Sequence, residues 1–229
     1  MTISIVLFLA QLLAVTVVIV LHEWAHAYAA YKCGDPTAKF SGRMTLNPAK
    51  HFDPLGILMF ALAGFGWAKP VPVNPNNFRN YRKGALITSS AGVVMNYLTA
   101  FLFYPIFCFV VWYVCPKVEG TYAEYFLYQL FWCLCAWSLS FCIFNLLPFY
   151  PLDGFRIVDA LSNRRSKVYR FLRQYGWYIL MGLMLINIAE TRLPILHYVN
   201  VLGYFMEYAV AFIGKPITSF WNWIFGLIL

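Results

Sequence analysis

Charged side chains are scarce in this sequence, and acidic ones are the scarcest. Only 9 of 229 residues are Asp or Glu, against 17 Lys and Arg, and charged residues make up 11% of the chain. Hydrophobic residues account for 62%, whereas soluble domains carry about 25% charged residues. Several apolar stretches reach the roughly 20 residues that a membrane-spanning helix needs. This composition excludes an ordinary soluble domain and predicts an integral, multi-pass membrane protein that has the lipid bilayer as a partner.

Cysteine pairs with metal-finger spacing are also missing. The six cysteines lie mostly inside apolar segments, so we interpret them as buried thiols and not as a second metal site. The net charge of +8 could suggest a nucleic-acid partner, but the positions of the basic residues argue against one. Most of them fall in residues 32–83 and 156–173. Basic loops mark the cytoplasmic side of a membrane protein, so we expect no nucleic acid.

Histidine is rare as well, with four in the chain, yet two of them stand together in His22-Glu23-Trp24-Ala25-His26. This motif follows a run, residues 3–21, that contains no charged side chain. Residues four apart share one face of a helix, so His22 and His26 can chelate one zinc ion, with Glu23 beside them as a base. A chance match is the alternative, but ionisable groups in a membrane span are costly and usually functional.

The order of apolar and basic segments predicts the topology. We expect about five to six transmembrane helices, which we assign to residues 3–31, 84–114, 122–147, 174–191 and either one or two segments of 195–229. Residues 38–46 alternate between apolar and polar side chains, which predicts a short membrane-associated β element. Residues 54–66 are apolar but too short to span, which predicts a re-entrant or interfacial segment. The fold class is therefore an all-α polytopic membrane protein.

Zinc in a hydrolytic site needs a third protein ligand, and topology suggests Asp153. The first span and the span over 122–147 both end on the basic side of the membrane. Asp153 follows the second of these spans directly, and Pro148 and Pro151 should unwind the helix there. A His22, His26 and Asp153 set leaves a fourth position open for water.

These motifs resemble the site-two protease family of intramembrane zinc metalloproteases. The resemblance rests on HEWAH, on NLLPFYPLDG at 145–154, and on GRMTLNPAKHFDPLG, GWAKPVPVNPNNFRN and SSAGVVMN between them. It covers residues 18–160 and is similar to the compact branch that lacks PDZ and CBS domains. It implies one membrane-embedded protease domain over residues 1–229, in the cell membrane of a prokaryote.

The resemblance also implies the roles of the site residues. His22, His26 and Asp153 would bind one Zn²⁺, and Glu23 would be the general base. Asn145 would contact the substrate backbone or the oxyanion; the alternative is that it satisfies backbone groups at the helix end near Pro148. The substrate would be a transmembrane protein cut in or near its membrane segment, close to the cytoplasmic face, under an unknown regulator.

Two other functions are weighed against this one. A scaffold or transporter with structural zinc would not need Glu23, and a di-iron oxygenase would need many more histidines. The predicted strand over 38–46 is either an edge that pairs with an unwound substrate or a closed structural hairpin. Of the remaining histidines, His51 is expected at the surface and His197 in core or interfacial packing.

Overall fold

The computed structural model describes residues 2–63, 66–162 and 166–228. These ranges contain eight α-helices: α1 (Thr2–Lys32), α2 (Thr37–Phe40), α3 (Pro54–Ala63), α4 (Tyr81–Phe109), α5 (Tyr122–Leu146), α6 (Asp153–Leu161), α7 (Lys167–Glu190) and α8 (Val201–Ile228). A π-helical turn over Val110–Val114 extends α4. The all-helical part of the prediction is confirmed for the described residues. The single-domain assignment of 1–229 stays a prediction.

Helices α1, α4 and α5 form a three-helix bundle. Small side chains of α1, Ala14 and Val18, pack against Cys133 and Leu134 of α5. Polar side chains set where two of the helices begin: the Asn80 side chain accepts the Lys83 N–H at the start of α4, and Thr121 accepts the Glu124 N–H at the start of α5. Such caps satisfy backbone N–H groups that the first helical turn leaves unpaired.

The direction of each helix follows from its contacts. His26 of α1 contacts Thr88 of α4, and His22, one turn earlier, contacts Asn96, two turns later. Helices α1 and α4 are therefore antiparallel. Helix α5 runs parallel to α1. We call the end where α1 and α5 terminate and α4 begins the lower end of the bundle, and the opposite end the upper end.

In the described part of the chain, three segments are long and apolar enough to cross a membrane: Thr2–Lys32, Tyr81–Lys117 and Tyr122–Leu146. Helix α8 also lies along the bundle, since its Trp221 donates the indole N–H to the Phe101 carbonyl of α4 at 2.9 Å. Further along, Phe225 contacts Trp112. These contacts run from the middle of α4 toward the upper end.

Helix α7 packs differently from the other long helices. Its buried residues Leu180 and Met184 form one cluster with Leu202 of α8. The cluster extends to partly buried side chains of the 147–152 loop, among them Phe149 and Leu152. Helix α7 therefore covers the lower end of the bundle. The predicted basic connection over 156–173 includes Arg164 and Arg165, which lie outside the described residues.

Helix α3, in the apolar run at 54–66, contacts the bundle, and the residues that flank the run are paired. Phe52 and Ala68, at its two ends, form an antiparallel β-bridge. Between them, Phe60 of α3 contacts Phe8 of α1 and Trp137 of α5, with ring centroids 6.5 and 5.9 Å apart. Helix α3 is about 15 Å long at 1.5 Å per residue, too short to span. Residues 64 and 65 of the predicted segment lie outside the described part of the chain.

The predicted strand over 38–46 is wrong. Residues Thr37–Phe40 form a helical turn, Gly42 then reverses the chain with φ +64°, and the Arg43 N–H donates back to the Ala38 carbonyl. The apolar and polar alternation reflects a compact turn whose Phe40 is 82% exposed. In the described ranges the Phe52–Ala68 bridge is the sole β pairing, so no strand edge exists at 38–46 for a substrate to pair with.

Residues 67–78, which we call the proline segment, lack regular structure apart from a 3₁₀ turn at Pro75–Asn77. This agrees with the prolines at 70, 72 and 75, which prevent helix formation. The segment is held at both ends. The Lys69 N–H donates to the His51 carbonyl at 2.9 Å, and the Asn74 N–H donates to Asp35 Oδ2 at 2.7 Å.

Candidate metal centre

The two histidines of α1 and the aspartate of α6 meet inside the lower half of the bundle. Asp153 Oδ2 lies 3.2 Å from His22 Nε2 and 3.0 Å from His26 Nε2, and the two Nε2 atoms are 3.0 Å apart. All three residues are buried. His26 and His22 precede the end of α1 by six and ten residues, which places them about 9 and 15 Å from that end.

These three atoms fit a zinc ion. Ligand atoms at the corners of a tetrahedron with bonds of 2.0–2.1 Å are separated by roughly 3.3 Å, close to the distances observed. Apart from the two histidine Nε2 atoms, the buried Asp153 Oδ2 has no hydrogen-bond partner among the described residues. Two imidazoles and one carboxylate that share a buried point form a donor set suited to zinc.

The charge of Asp153 favours the same role. Burial alone would raise the pKa of this carboxyl group, but the adjacent His26 and His22 outweigh burial and hold the pKa well below its usual range. Asp153 is therefore ionised, as a metal ligand must be. Arg156 on the next turn of α6 adds a positive charge, with Nη1 3.9 Å from Asp153 Oδ1.

Helix α6 brings Asp153 to the site because both of its ends are fixed. At its start, Gly154 touches the Leu146 carbonyl of α5 so closely that a Cβ atom there would lie 2.3 Å from the oxygen. At its end, the Arg82 guanidinium of α4 donates to the carbonyls of Ala160 and Leu161. The carbonyls of the last helical turn have no partner within the helix, so this arginine satisfies them.

One face of α4 supports the histidines. The Thr88 carbonyl oxygen is 2.7 Å from His26 Nδ1, which makes Nδ1 the protonated nitrogen and leaves Nε2 free for a metal. The Asn96 amide lies 3.0 Å from His22 Nδ1 and is fully buried. An Asn amide can present its oxygen or its nitrogen. With the oxygen turned toward His22, Nδ1–H donates to it and Nε2 is again free.

Gly92 lies between these two residues on the same face of α4. A Cβ atom at this position would be 2.4 Å from His26 Nε2 and 2.5 Å from His22 Cε1. Thr88, Gly92 and Asn96 were not assigned to the site from sequence. Their signal was a set of small or polar residues at intervals of four in an apolar helix, which places them on one face.

Glu23 is half-buried beside His22, and its carboxylate is held by the proline segment. The Val71 N–H donates to Glu23 Oε2 at 3.0 Å. The carboxylate thus lies where the proline segment crosses α1, on the residue that follows the candidate ligand His22.

Asn145, the second predicted catalytic residue, makes a local hydrogen bond. Its Nδ2 donates to the Phe141 carbonyl one turn earlier in α5, at 3.0 Å. This bond agrees with the helix-end alternative, and a contact with substrate stays a prediction.

The remaining histidines and the cysteines lie away from the cluster. The surface position expected for His51 is wrong: the residue is fully buried, with Nε2 2.7 Å from the Thr45 carbonyl, because the turn over 41–47 folds across it. His197 is exposed and pairs with Glu190. All six cysteines are free thiols, five of them buried, as predicted.

Comparison with known proteins gives matches along most of the chain. The family described as Peptidase family M50 matches residues 113–187, which include Asn145 and Asp153. The chain is 41% identical over 165 residues to "Putative zinc metalloprotease YwhC" of Bacillus subtilis, covering 71% of this chain and 74% of that protein.

More distant relatives carry similar names. "Putative zinc metalloprotease Rip2" of Mycolicibacterium smegmatis is 24% identical over 219 residues, which cover 88% of this chain and 76% of the relative. The protein of the same name from Mycobacterium tuberculosis is 27% identical over 184 residues, which cover 75% of this chain and 63% of that protein. No solved structure matches the chain.

Proposed function

We propose, from the premise that this chain belongs to peptidase family M50 and is a zinc metalloendopeptidase of the membrane, that it cuts other membrane proteins within or near their transmembrane segments. The observation that carries this proposal is the depth of the ligand cluster. His22, His26 and Asp153 meet within a bundle of three helices that are each long and apolar enough to span. A substrate that reaches this depth is itself a membrane segment.

In this mechanism His22, His26 and Asp153 hold the metal. When bound, zinc lowers the pKa of a water molecule and polarises a peptide carbonyl. The Glu23 carboxylate takes a proton from the attacking water and delivers it to the nitrogen of the leaving amine. Thr88 and Asn96 keep the imidazole rings oriented. We propose Asn145 as the group that binds the substrate backbone or the oxyanion, which requires its amide to turn from the Phe141 carbonyl toward the substrate.

We propose that the lower end of the bundle faces the cytoplasm and that cleavage occurs near that face. Basic residues cluster there, at the end of α1 and the start of α4, and basic residues favour the cytoplasmic side. They include Lys32, Lys39, Arg79, Arg82 and Lys83. Water then enters the site from the cytoplasm, since hydrocarbon supplies none.

The chain crosses the membrane several times in this proposal. Helices α1, α4 and α5 are three crossings, and the contacts of α8 along α4 support a fourth. The returning segment around α3 is re-entrant, with both ends at the lower end of the bundle. The five to six crossings predicted from sequence would require α7 to cross as well. A prokaryotic cell membrane remains the expected location.

The function is tested with purified protein in lipid vesicles that contain a transmembrane test substrate. Wild type should bind one zinc and cleave. Glu23→Gln keeps the ligands but removes the base, so zinc should remain while turnover falls by about 10²–10⁴-fold. Asp153→Ala should lose both zinc and activity. Glu119→Gln, which alters an exposed carboxylate at the upper end, serves as the control.

Two results would contradict the proposal. Wild-type turnover in Glu23→Gln would exclude Glu23 as the general base and so contradict this mechanism. Cleavage of a soluble peptide but not of the membrane substrate would overturn the substrate class, while leaving the family assignment intact.

A further inference from the structure

The proline segment has one backbone donor where it crosses the site. In Pro70-Val71-Pro72 both prolines lack an N–H, so Val71 carries the only backbone N–H of the three. That N–H is the one 3.0 Å from Glu23 Oε2. A hydrogen bond from a backbone N–H to an ionised carboxylate is among the stronger kinds in proteins.

The position of this donor is fixed on both sides. Before it, Lys69 is held through its N–H by the His51 carbonyl and through its carbonyl by the Arg43 guanidinium. After it, Asn74 is bound to Asp35. Most of these partners are themselves buried, and Asp35 and His51 are fully so. The donor therefore stays in place without help from Glu23.

The Val71 side chain anchors the same residue in an apolar cluster. It is 6% exposed and packs with Ala27 of α1 and Ala38 of α2. Ala27 follows the ligand His26 directly, so the cluster joins the proline segment to the turn of α1 that carries the site. The anchor and the donor belong to one residue, but the two can be separated by substitution.

We propose that Val71 is a positioning residue for catalysis. Its N–H holds Oε2 of Glu23, so that Oε1 is the oxygen that takes the proton and the carboxylate does not rotate between turnovers. This inference rests on the proposed function, since it assigns Glu23 as the base. Groups that orient a catalytic or metal-binding residue contribute roughly 10–100-fold to activity or metal affinity.

The test separates the N–H from the side chain. Val71→Pro removes the N–H, and Pro72 already restricts residue 71 to the extended conformation that proline accepts. Val71→Ala keeps the N–H and removes most of the packing. A third variant carries α-hydroxyvaline at 71, which replaces the amide by an ester and leaves the side chain unchanged. We expect kcat to fall by roughly 10–100-fold in the proline and ester variants, with KM and zinc content unchanged, and to fall less in Val71→Ala, which keeps the N–H.

A double-mutant cycle with Glu23→Gln distinguishes a role of Val71 through Glu23 from a merely structural role. If Val71 acts through Glu23, the ester should cause no further loss in the Glu23→Gln background. A wild-type rate in the ester variant, or equal losses in both backgrounds, would overturn the inference while leaving the proposed function intact. An inactive wild type would instead refute the proposed function, and wild-type turnover in Glu23→Gln would refute Glu23 as the base and with it this inference. If Val71→Pro misfolds and loses zinc, the rate of the ester variant decides whether the Val71 N–H contributes to kcat.

Discussion

Gly92 is the residue on which the shape of the metal site depends most directly. The imidazole rings of His22 and His26 occupy the space that any larger side chain would fill. In Gly92→Ala the added methyl group should push both rings from their places and weaken zinc binding by roughly 10–100-fold, with a matching loss of activity. Alanine favours a helix over glycine by about 1 kcal/mol, so the thermal stability of the metal-free protein should not fall.

The measurement is zinc titration together with thermal unfolding. Gly182→Ala in α7 is the matched control, because no atom lies within 4 Å of a Cβ at that position. Zinc affinity equal to wild type in Gly92→Ala would show that the rings are free to move aside, against the close contacts described here.

At the scale of residues, sequence could predict the groups that act through side chains. His22 and His26 were visible from their spacing, and Asp153 from its place after a span that ends on the same side. Thr88 and Val71 contribute a backbone carbonyl and a backbone N–H. Any residue type has these groups, so no side-chain pattern reveals them before the fold is known.

The proline segment is the element that sequence described least fully. Its prolines predicted an extended chain, but its attachment depends on Asp35, which is fully buried. Asp35 accepts hydrogen bonds from Asn74, Asn77 and Thr37. Asp35→Asn removes the charge and replaces one accepting oxygen by a donor, so either the Asn74 N–H or the donors of Thr37 and Asn77 lose their acceptor. We expect the free energy of unfolding to fall by about 1–3 kcal/mol, and turnover to fall with zinc retained.

The pH dependence of stability checks the same point. Burial alone would raise the pKa of Asp35, but hydrogen bonds from Thr37, Asn77 and Asn74 outweigh burial and lower it. A lowered folded pKa stabilises the protein above the unfolded value of about 3.9 and loses that effect as pH falls below it. Unfolding curves of wild type should therefore decline more steeply in acid than those of Asp35→Asn. Parallel curves would argue against the assignment, and Glu207→Gln, an exposed carboxylate, is the control.

The wrong strand at 38–46 has a physical reason at this scale. Period-two alternation predicts a strand only when a second strand can pair with it, and here the polar atoms bond locally within a helical turn. The short apolar run at 54–66 contains helix α3, whose length alone excludes a span, and its re-entrant or interfacial placement stays a prediction. The β-bridge between Phe52 and Ala68 joins residues 16 apart, so no local sequence pattern could predict this pairing.

For the whole molecule, the directions of the helices predict which loops share a side of the membrane. Helix α8 begins at the lower end, so Tyr198, just before it, should lie on the same side as Lys50, and Glu119 on the other. In cells carrying Glu119→Cys, Lys50→Cys or Tyr198→Cys, an impermeant maleimide should label residue 119 in intact cells and the other two only after permeabilisation. The parent protein, whose thiols are mostly buried, gives the background.

Labelling of residue 198 in intact cells would show that α7 crosses the membrane, and would support the five to six crossings predicted from sequence. Protection of residue 119 would reverse the proposed orientation. Sequence could predict the three candidate spans of the bundle because their apolar runs are long. It could not decide between one and two segments for 195–229, because the contacts that orient α8 are made with distant parts of the chain.

The ligand cluster also has a topological consequence. Asp153 follows His26 by 127 residues, so a metal ion bound by both closes the intervening chain, with α4 and α5, into a ring. Closing a loop of this length costs roughly 4 kcal/mol of chain entropy. A cross-link that also holds the unfolded chain restricts that chain beforehand, so folding no longer carries this entropy cost. A zinc ion held by His26 and Asp153 would then also be a reversible cross-link, and its removal would open the ring at the first turn of α6.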